Sequence, residues 1–291
     1  QIAQMLDGQR EDGGIVTDMV GGKLIFPADA AIFSLTVQHL RDLGCEVNEY
    51  IESDLIIHNF EETAIFNMVR NWTSIHKLQQ MEDQGYTVIN SGYGIENCTR
   101  EKMTRLLMSN NISHPASLIL PTDEDPTAAL EKAGFYNCWI KRGDFHAIHR
   151  EDVTYVRNPE EAKTILKEYA IRGIKTAVVN EHLVGDLVKF YGVTGTDFFY
   201  WFYPSNQHHS KFGLEQINGT AKGIPFDDSK LQQLCSQAAE VLNIHIYGGD
   251  CIISDDGSIR LIDFNDWPSF APCRNEAAPQ IARRIYNLIS K

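Results

Sequence analysis

Gly248-Gly249-Asp250-Cys251-Ile252-Ile253-Ser254-Asp255-Asp256-Gly257-Ser258-Ile259-Arg260-Leu261-Ile262-Asp263-Phe264-Asn265 reads as a β-hairpin. Two apolar runs flank Asp256-Gly257, a dipeptide suited to a two-residue turn with positive φ at both central positions. Counting outward from that turn sets Asp255 opposite Ser258, Ile252 opposite Leu261 and Asp250 opposite Asp263. Directly opposed residues have Cβ atoms roughly 4.5–5.5 Å apart, where like charges repel. Asn265, two residues beyond Asp263, shares its face. Two carboxylates and an amide oxygen then converge, a set of hard donors that suits Mg²⁺ alongside substrate phosphates. The plainer alternative is a surface hairpin with scattered acids. The apolar residues on either side of Asp250 and Asp263 argue for burial, and so for a metal site.

The bulk numbers bound the rest. The chain has 291 residues, 43% of them hydrophobic and 22% charged, which suits one large or two to three smaller globular domains. A net charge of −13 argues against non-specific binding to nucleic acid or to an anionic membrane, while leaving room for a local basic pocket. No apolar run approaches the roughly 20 residues of a membrane span, and no signal peptide is visible. Six cysteines lie far apart with no Cys-x-x-Cys, which reads as reduced thiols in a cytoplasmic protein and leaves no zinc site. Asn-x-Ser/Thr sequons at Asn71, Asn97, Asn111 and Asn218 are then coincidental. The chain opens on Gln1 rather than Met, so a native N-terminus is expected to be missing. A homo-oligomer is left open.

Periodicity predicts helices over 29–43, 62–85, 100–110, 128–134, 159–169, 228–242 and 277–290. Strands are expected over 53–59, 86–90, 116–120, 138–141, 152–156, 177–184, 187–192 and 198–203. Residues 1–22 show no clear organisation and 91–97 read as a loop. Strand–helix alternation in the first part implies a small parallel layer, and the second part mixes antiparallel strands with helices.

Several cations and a hinge stand out. Lys141 ends the apolar strand Cys138-Trp139-Ile140-Lys141, and its ammonium needs water or an anion. Gly143 follows, and a lysine beside glycine-bearing backbone can cradle phosphate; a snorkelling surface lysine is an equal reading. Lys102 sits in the first turn of a helix, where a cation opposes the helix dipole unless an anion lies nearby. Val178-Val179-Asn180-Glu181-His182-Leu183 followed by Gly185-Asp186 joins an apolar strand to an acid-bearing turn. Lys211, in the polar loop after the strand 198–203, and Arg274 are candidate anion contacts, with solvated surface cations as the alternative. His146 and His149 read as solvated loop histidines, with contact to phosphate or substrate as the alternative, and Trp201 and Trp267 read as core rather than ligand-stacking.

The order of these features resembles the ATP-grasp superfamily over residues 86–270. Val88-Ile89-Asn90-Ser91 through Glu101-Lys102 is similar to the family's entry strand and helix, Trp139-Ile140-Lys141 to its second phosphate-binding strand, and Val179–Leu183 to its adenine hinge. Gly249-Asp250 and Leu261-Ile262-Asp263-Phe264-Asn265 are similar to its two metal-ligand strands, with Asp263 where glutamate is more usual. The resemblance implies an α+β / α/β fold of the ATP-grasp type. Its parts would be an N-terminal α/β domain (1–90), a connecting segment (91–120), a small subdomain (121–184) and a C-terminal subdomain with the metal site (185–291). ATP would contact Lys102, Lys141, Gly143, Glu181, His182, Leu183, Asp186 and Lys189. Glu181 and Leu183 would act through the main chain, Asp186 would hold the ribose and Lys189 the phosphates. Mg²⁺, with Mn²⁺ as an alternative, would sit on Asp250, Asp263 and Asn265. Lys141, Lys189, Lys211 and Arg274 would serve the reacting groups. Two departures stand out: a loop 142–149 poor in glycine, and Asp266-Trp267-Pro268-Ser269-Phe270 in place of a Pro-Gly sequence.

The expected activity is ligation of a small-molecule carboxylate to an amine through an acylphosphate, releasing ADP and phosphate. A small-molecule kinase acting on a polyol or inositol phosphate is the alternative, and a non-catalytic nucleotide-binding module a third reading. Asp263→Asn is expected to abolish turnover and leave the ligand-free fold intact or slightly more stable, since it relieves repulsion between facing acids.

Overall fold

The computed structural model describes residues 2–6, 19–20, 23–24, 28–145, 150–204, 217 and 219–290. Strand β1 (Ile2–Leu6) precedes a short hairpin, β2 (Met19–Val20) and β3 (Lys23–Leu24). Helix α1 (Ala28–Asp42), β4 (Val47–Ile51), α2 (Asp54–Ile57), β5 (Ala64–Asn67), α3 (Trp72–Asp83) and β6 (Thr87–Ile89) complete a first unit. Its sheet is parallel, in the order β4-β1-β5-β6. Both faces are covered: Ile65 and Val88 pack toward α3, Phe66 and Ile89 toward α1.

The N-terminal expectations need correction. Residues 53–59, read as a strand, hold α2, and the long helix over 62–85 is β5 followed by α3. All four positions of β5 are buried, and a short run buried on both faces shows no alternation to separate it from helix. The true start of α3 is marked by Asn71, whose side chain accepts from the Thr73 N–H. The central strand β1 lies where no organisation was expected.

Helices α4 (Gly92–Asn97) and α5 (Arg100–Ser109) lead to the second sheet; α4 occupies the stretch read as a loop, capped by Ser91. The sheet contains β7 (Ser117–Pro121), β8 (Cys138–Arg142), β9 (Val153–Val156) and β10 (Thr176–Glu181). It is antiparallel in the order β7-β10-β8-β9, so β7 joins this layer rather than a connecting segment. Helices α6 (Thr127–Ala133) and α7 (Pro159–Ile171) cover one face, burying Cys138, Ile140, Ala177 and Val179. The opposite face carries Trp139, Lys141, Val178 and Asn180, of which all but Trp139 are buried.

The third sheet comprises β11 (Asp186–Val193), β12 (Phe199–Phe202), β13 (Ile246–Ile253) and β14 (Ile259–Asp266), antiparallel in the order β12-β11-β13-β14. Helix α8 (Asp228–Leu242) is capped by Asp227 and ended by Asn243 in the left-handed conformation. Its stripe of Leu231, Cys235, Ala238, Ala239 and Leu242 covers the face carrying Val188, Phe190, Cys251, Ile253, Leu261 and Phe264. Helix α9 (Arg274–Ile289) packs with α1 over a core shared by the first and third units, around Trp267 and Phe270. Asn90 stitches the same junction: its side chain donates to the Ile246 carbonyl and accepts from the N–H groups of His245 and Ile246.

Candidate active site

The hairpin β13–β14 turns differently from the two-residue reversal that Asp256-Gly257 suggested. Ser254 N–H donates to the Ser258 carbonyl and Gly257 N–H to the Ser254 carbonyl, so Asp255, Asp256 and Gly257 form a three-residue turn with only Gly257 at positive φ. This shifts the register by one, and Ile252 faces Arg260 rather than Leu261. A β-bulge at Ile262 restores the count, and Asp250 faces Asp263. The bulge also puts Ile262 and Asp263 on one side of the sheet while Leu261 and Phe264 point into the core.

Register places Phe202, Lys189, Asp250 and Asp263 in one row across the four strands, all on the face away from α8. Lys189 Nζ donates to Asp250 Oδ1 at 2.9 Å. Arg100, in the first turn of α5 and only 5% exposed, donates to Asp263 Oδ1 at 2.9 Å. The Phe264 N–H also donates to that oxygen. Lys141 comes from the opposing sheet and donates to the carbonyl of the bulged Ile262 at 3.1 Å. Burial, and secondarily Arg100, push its ammonium down to about 7, with Asp263 and Asp250 pulling the other way. Three cations and two carboxylates thus meet where the second and third sheets face each other.

The next row toward the hinge is apolar. Leu187, Ile252 and Ile262 gather with Leu183, which follows the end of β10. Two residues along a strand are roughly 6.6 Å, so this apolar group adjoins the charged row at that distance. Asn265 lies beyond Asp263 on the same face, opposite Gly248. No described residue hydrogen-bonds its side chain, and no three His, Cys, Asp or Glu side chains cluster as a metal site among the described residues. A divalent ion would have to take Asp250, Asp263 and the Asn265 amide oxygen and complete its shell with phosphate and water. That donor chemistry fits Mg²⁺ or Mn²⁺.

Other site residues fall elsewhere. Lys102 is two positions from Arg100, hence on another side of α5, and pairs with Glu96 at 2.5 Å. The residue that reaches the carboxylates is Arg100. The sequence held a signal for it: Met103 and Leu107 are the buried stripe of α5, and Arg100 precedes Met103 by three, on that same face. Gly143 uses its N–H on the Thr176 carbonyl and its carbonyl on the Glu101 N–H; a Cβ there would lie 2.7 Å from the Thr176 oxygen. Its glycine serves a close backbone approach, and its amide is not available to phosphate. Asp186, 3% exposed, accepts from the N–H groups of Lys222 and Ile224, so both its oxygens anchor main chain instead of a ribose.

The Glu181 carboxylate accepts from the Ala116 N–H and Arg260. His182 accepts the Trp139 indole N–H at Nδ1. Arg274 opens α9 and donates to the Ser269 carbonyl. Lys211, His146 and His149 lie outside the described residues.

Neither the protein-family models nor the curated protein sequences match this chain. Solved structures do. D-alanine–D-alanine ligase from Bacillus anthracis, complexed with ATP, superimposes with a TM-score of 0.67 at 12% identity, covering 99% of this chain and 95% of that one. The ATP-grasp ligase PsnB, complexed with a minimal precursor, gives 0.61 at 15% identity, over 99% of this chain and 98% of that one. A RimK-domain ATP-grasp protein from Sphaerobacter thermophilus gives 0.67 at 14% identity, over 98% of this chain and 100% of that one.

Proposed function

We propose that this chain, which has the ATP-grasp fold, is an ATP-dependent ligase that joins a carboxylate to an amine. The observation that carries the reading is the meeting of Arg100, Lys141, Lys189, Asp250 and Asp263 beside the apolar group of Leu183, Leu187, Ile252 and Ile262. The base would lie at Leu183, Leu187, Ile252 and Ile262, and the triphosphate would run toward Lys141 and Arg100. Mg²⁺ on Asp250, Asp263 and Asn265 would supply neutralisation of β- and γ-phosphate charge.

The protein's part is positioning and electrostatics, which is what phosphoryl transfer requires. Arg100 and Lys141 exchange their ligand-free partners, Asp263 and the Ile262 carbonyl, for phosphate oxygens. Lys141, whose pKa burial lowers to about 7, regains full charge beside a polyanion. A carboxylate oxygen of the acceptor attacks the γ-phosphorus, the bond to the β-bridging oxygen breaks and ADP leaves. The amine then attacks the acyl carbon, phosphate departs and the amine's proton is released. Lys189 and Arg274 would steady the acceptor.

Incubation with MgATP and pools of amino acids, dipeptides and acidic peptides, with ADP and phosphate both measured, tests this. Peptides belong in the screen because PsnB is described in complex with a precursor peptide. A ligase releases both products only when carboxylate and amine are present together. Phosphate retained on the acceptor instead identifies a kinase, and uptake of MgATP without turnover identifies a binding module.

A further inference from the structure

The end of the third sheet away from the hinge carries a cation that no described acid meets. Arg284, on α9, flanks the buried stripe of Ala277, Ile281 and Ile285 and is itself half-buried. Its Nη2 donates to His245 Nδ1 at 3.3 Å, and its Nε is buried without a hydrogen-bond partner. Burial alone lowers its pKa, with no carboxylate pulling the other way. Arg70, Arg100, Arg142 and Arg260 are also partly or wholly buried, and each of them reaches a carboxylate. With 39 acidic residues against 26 lysines and arginines, acids are plentiful in this chain, yet Arg284 has none among the described residues. Helix α9 continues for more than a turn beyond it, to Ile289, so the helix dipole does not supply the missing charge.

The surroundings are shaped to the guanidinium. Gly195 has φ +70°, and a Cβ there would lie 2.5 Å from Arg284 Nη1 and 3.0 Å from Cζ, so only glycine lets the turn after β11 approach this closely. A guanidinium can only donate, so Nδ1 of His245 accepts and Nε2 carries the proton. Thr194 Oγ1 lies 2.8 Å from the same Nδ1. Burial, and secondarily Arg284, push the His245 pKa down to about 4, so the ring is a neutral rest for the guanidinium and adds no second charge. Gly195 is exposed and Thr194, Thr196 and His245 are half-buried, so the group is reached from solvent. It is separate from the candidate active site: His245 precedes Ile246, which faces Val193, four residues or about 13 Å along β11 from Lys189.

A partly desolvated cation without a counter-charge is costly unless a ligand supplies one. We propose that Arg284, seated on Gly195 and oriented by His245, binds a small oxyanion, the phosphate or carboxylate group of a solute. The His245 N–H donates to Asn90 Oδ1, so the anion would rest on the junction of the first and third units and favour the folded chain. The site does not depend on the nucleotide reading above.

The imidazole C–H resonance of His245, assigned by its loss in His245→Gln, reports the site in NMR titrations with inorganic phosphate, acetate and chloride. The same titrations in Arg100→Met remove interference from phosphate at the candidate active site. Phosphate or acetate is expected to shift the resonance saturably in both proteins, and the tighter of the two identifies the oxyanion. Chloride at equal ionic strength should give no saturable shift. Arg284→Met is expected to weaken oxyanion binding at least about ten-fold. If that variant does not fold, Arg284→Gln, which keeps a donor for His245 and removes the charge, makes the same comparison. No saturable shift with either oxyanion overturns the site. Chloride binding as tight as that of the oxyanions, or equal affinity with and without the Arg284 charge, overturns it too.

Discussion

Arg70, from the loop after β5, donates to Asp266 Oδ2 at 2.7 Å, and Asp266 immediately follows Asn265 on β14. The Asp266 side chain is 1% exposed. The same guanidinium donates to the Asp266 and Trp267 carbonyls, so one side chain of the first unit fixes the backbone just beyond the candidate metal ligands. Arg70→Met leaves a buried carboxylate without its main cation, and a loss of about 1–3 kcal/mol in urea unfolding is expected, less than for a wholly buried pair because Arg70 is partly solvated. Adding Asp266→Asn should recover part of that loss. Additive losses would mean that the two residues act separately.

Arg100 and Lys102 can be told apart by kinetics. Arg100→Met removes the cation that contacts Asp263 and is expected to lower kcat/KM by about 10²-fold or more. Lys102→Met breaks only the exposed pair with Glu96 and should leave kcat/KM within about three-fold. The reverse order would return the phosphate contact to Lys102.

Lys141 gives a pH signature. An unfolded lysine titrates near 10.5 and the folded group near 7, so between these values the unfolded chain binds more protons and stability rises with pH. Lys141→Met removes this dependence. Any stability advantage of the variant over wild type should therefore be largest at pH 7 and narrow toward pH 10. Nucleotide binding at pH 8 should take up close to one proton, visible as a buffer-dependent binding enthalpy. A buffer-independent enthalpy would show that Lys141 is already charged in the free protein.

Asp263→Asn should abolish turnover, but the structure reverses its expected effect on stability. Facing acids alone would repel, whereas here Lys189 and Arg100 each neutralise one of them. Loss of the Asp263 charge leaves the 5%-exposed Arg100 without its acid and is expected to cost about 1–3 kcal/mol in denaturant unfolding. A variant as stable as wild type would mean that Arg100 finds another partner.

The sequence made some of this architecture legible and concealed the rest for physical reasons. Helix α8 ends where its Asp227 cap and Asn243 terminator say, since both act locally. The facing of Asp250 and Asp263 was reached by counting, although the turn and the bulge each differ from a plain hairpin. The parallel strands β1, β4 and β5 escaped because pairing between distant segments leaves little local pattern. Arg100 was legible in the phase it shares with Met103 and Leu107, but the resemblance pointed to Lys102 instead. Nothing local to Asp186 announces the loop N–H groups at Lys222 and Ile224 that engage it.

The extra residue in the Asp255–Gly257 turn and the extra residue at Ile262 offset each other along the hairpin. Pairs nevertheless count outward from Ser254 and Ser258, so removing one turn residue leaves Asp250 opposite Asp263, and removing Ile262 flattens the bulge while Asp263 then follows Leu261 directly and still meets Asp250. Length changes at these two points are therefore independent, and the facing of the two acids tolerates either one.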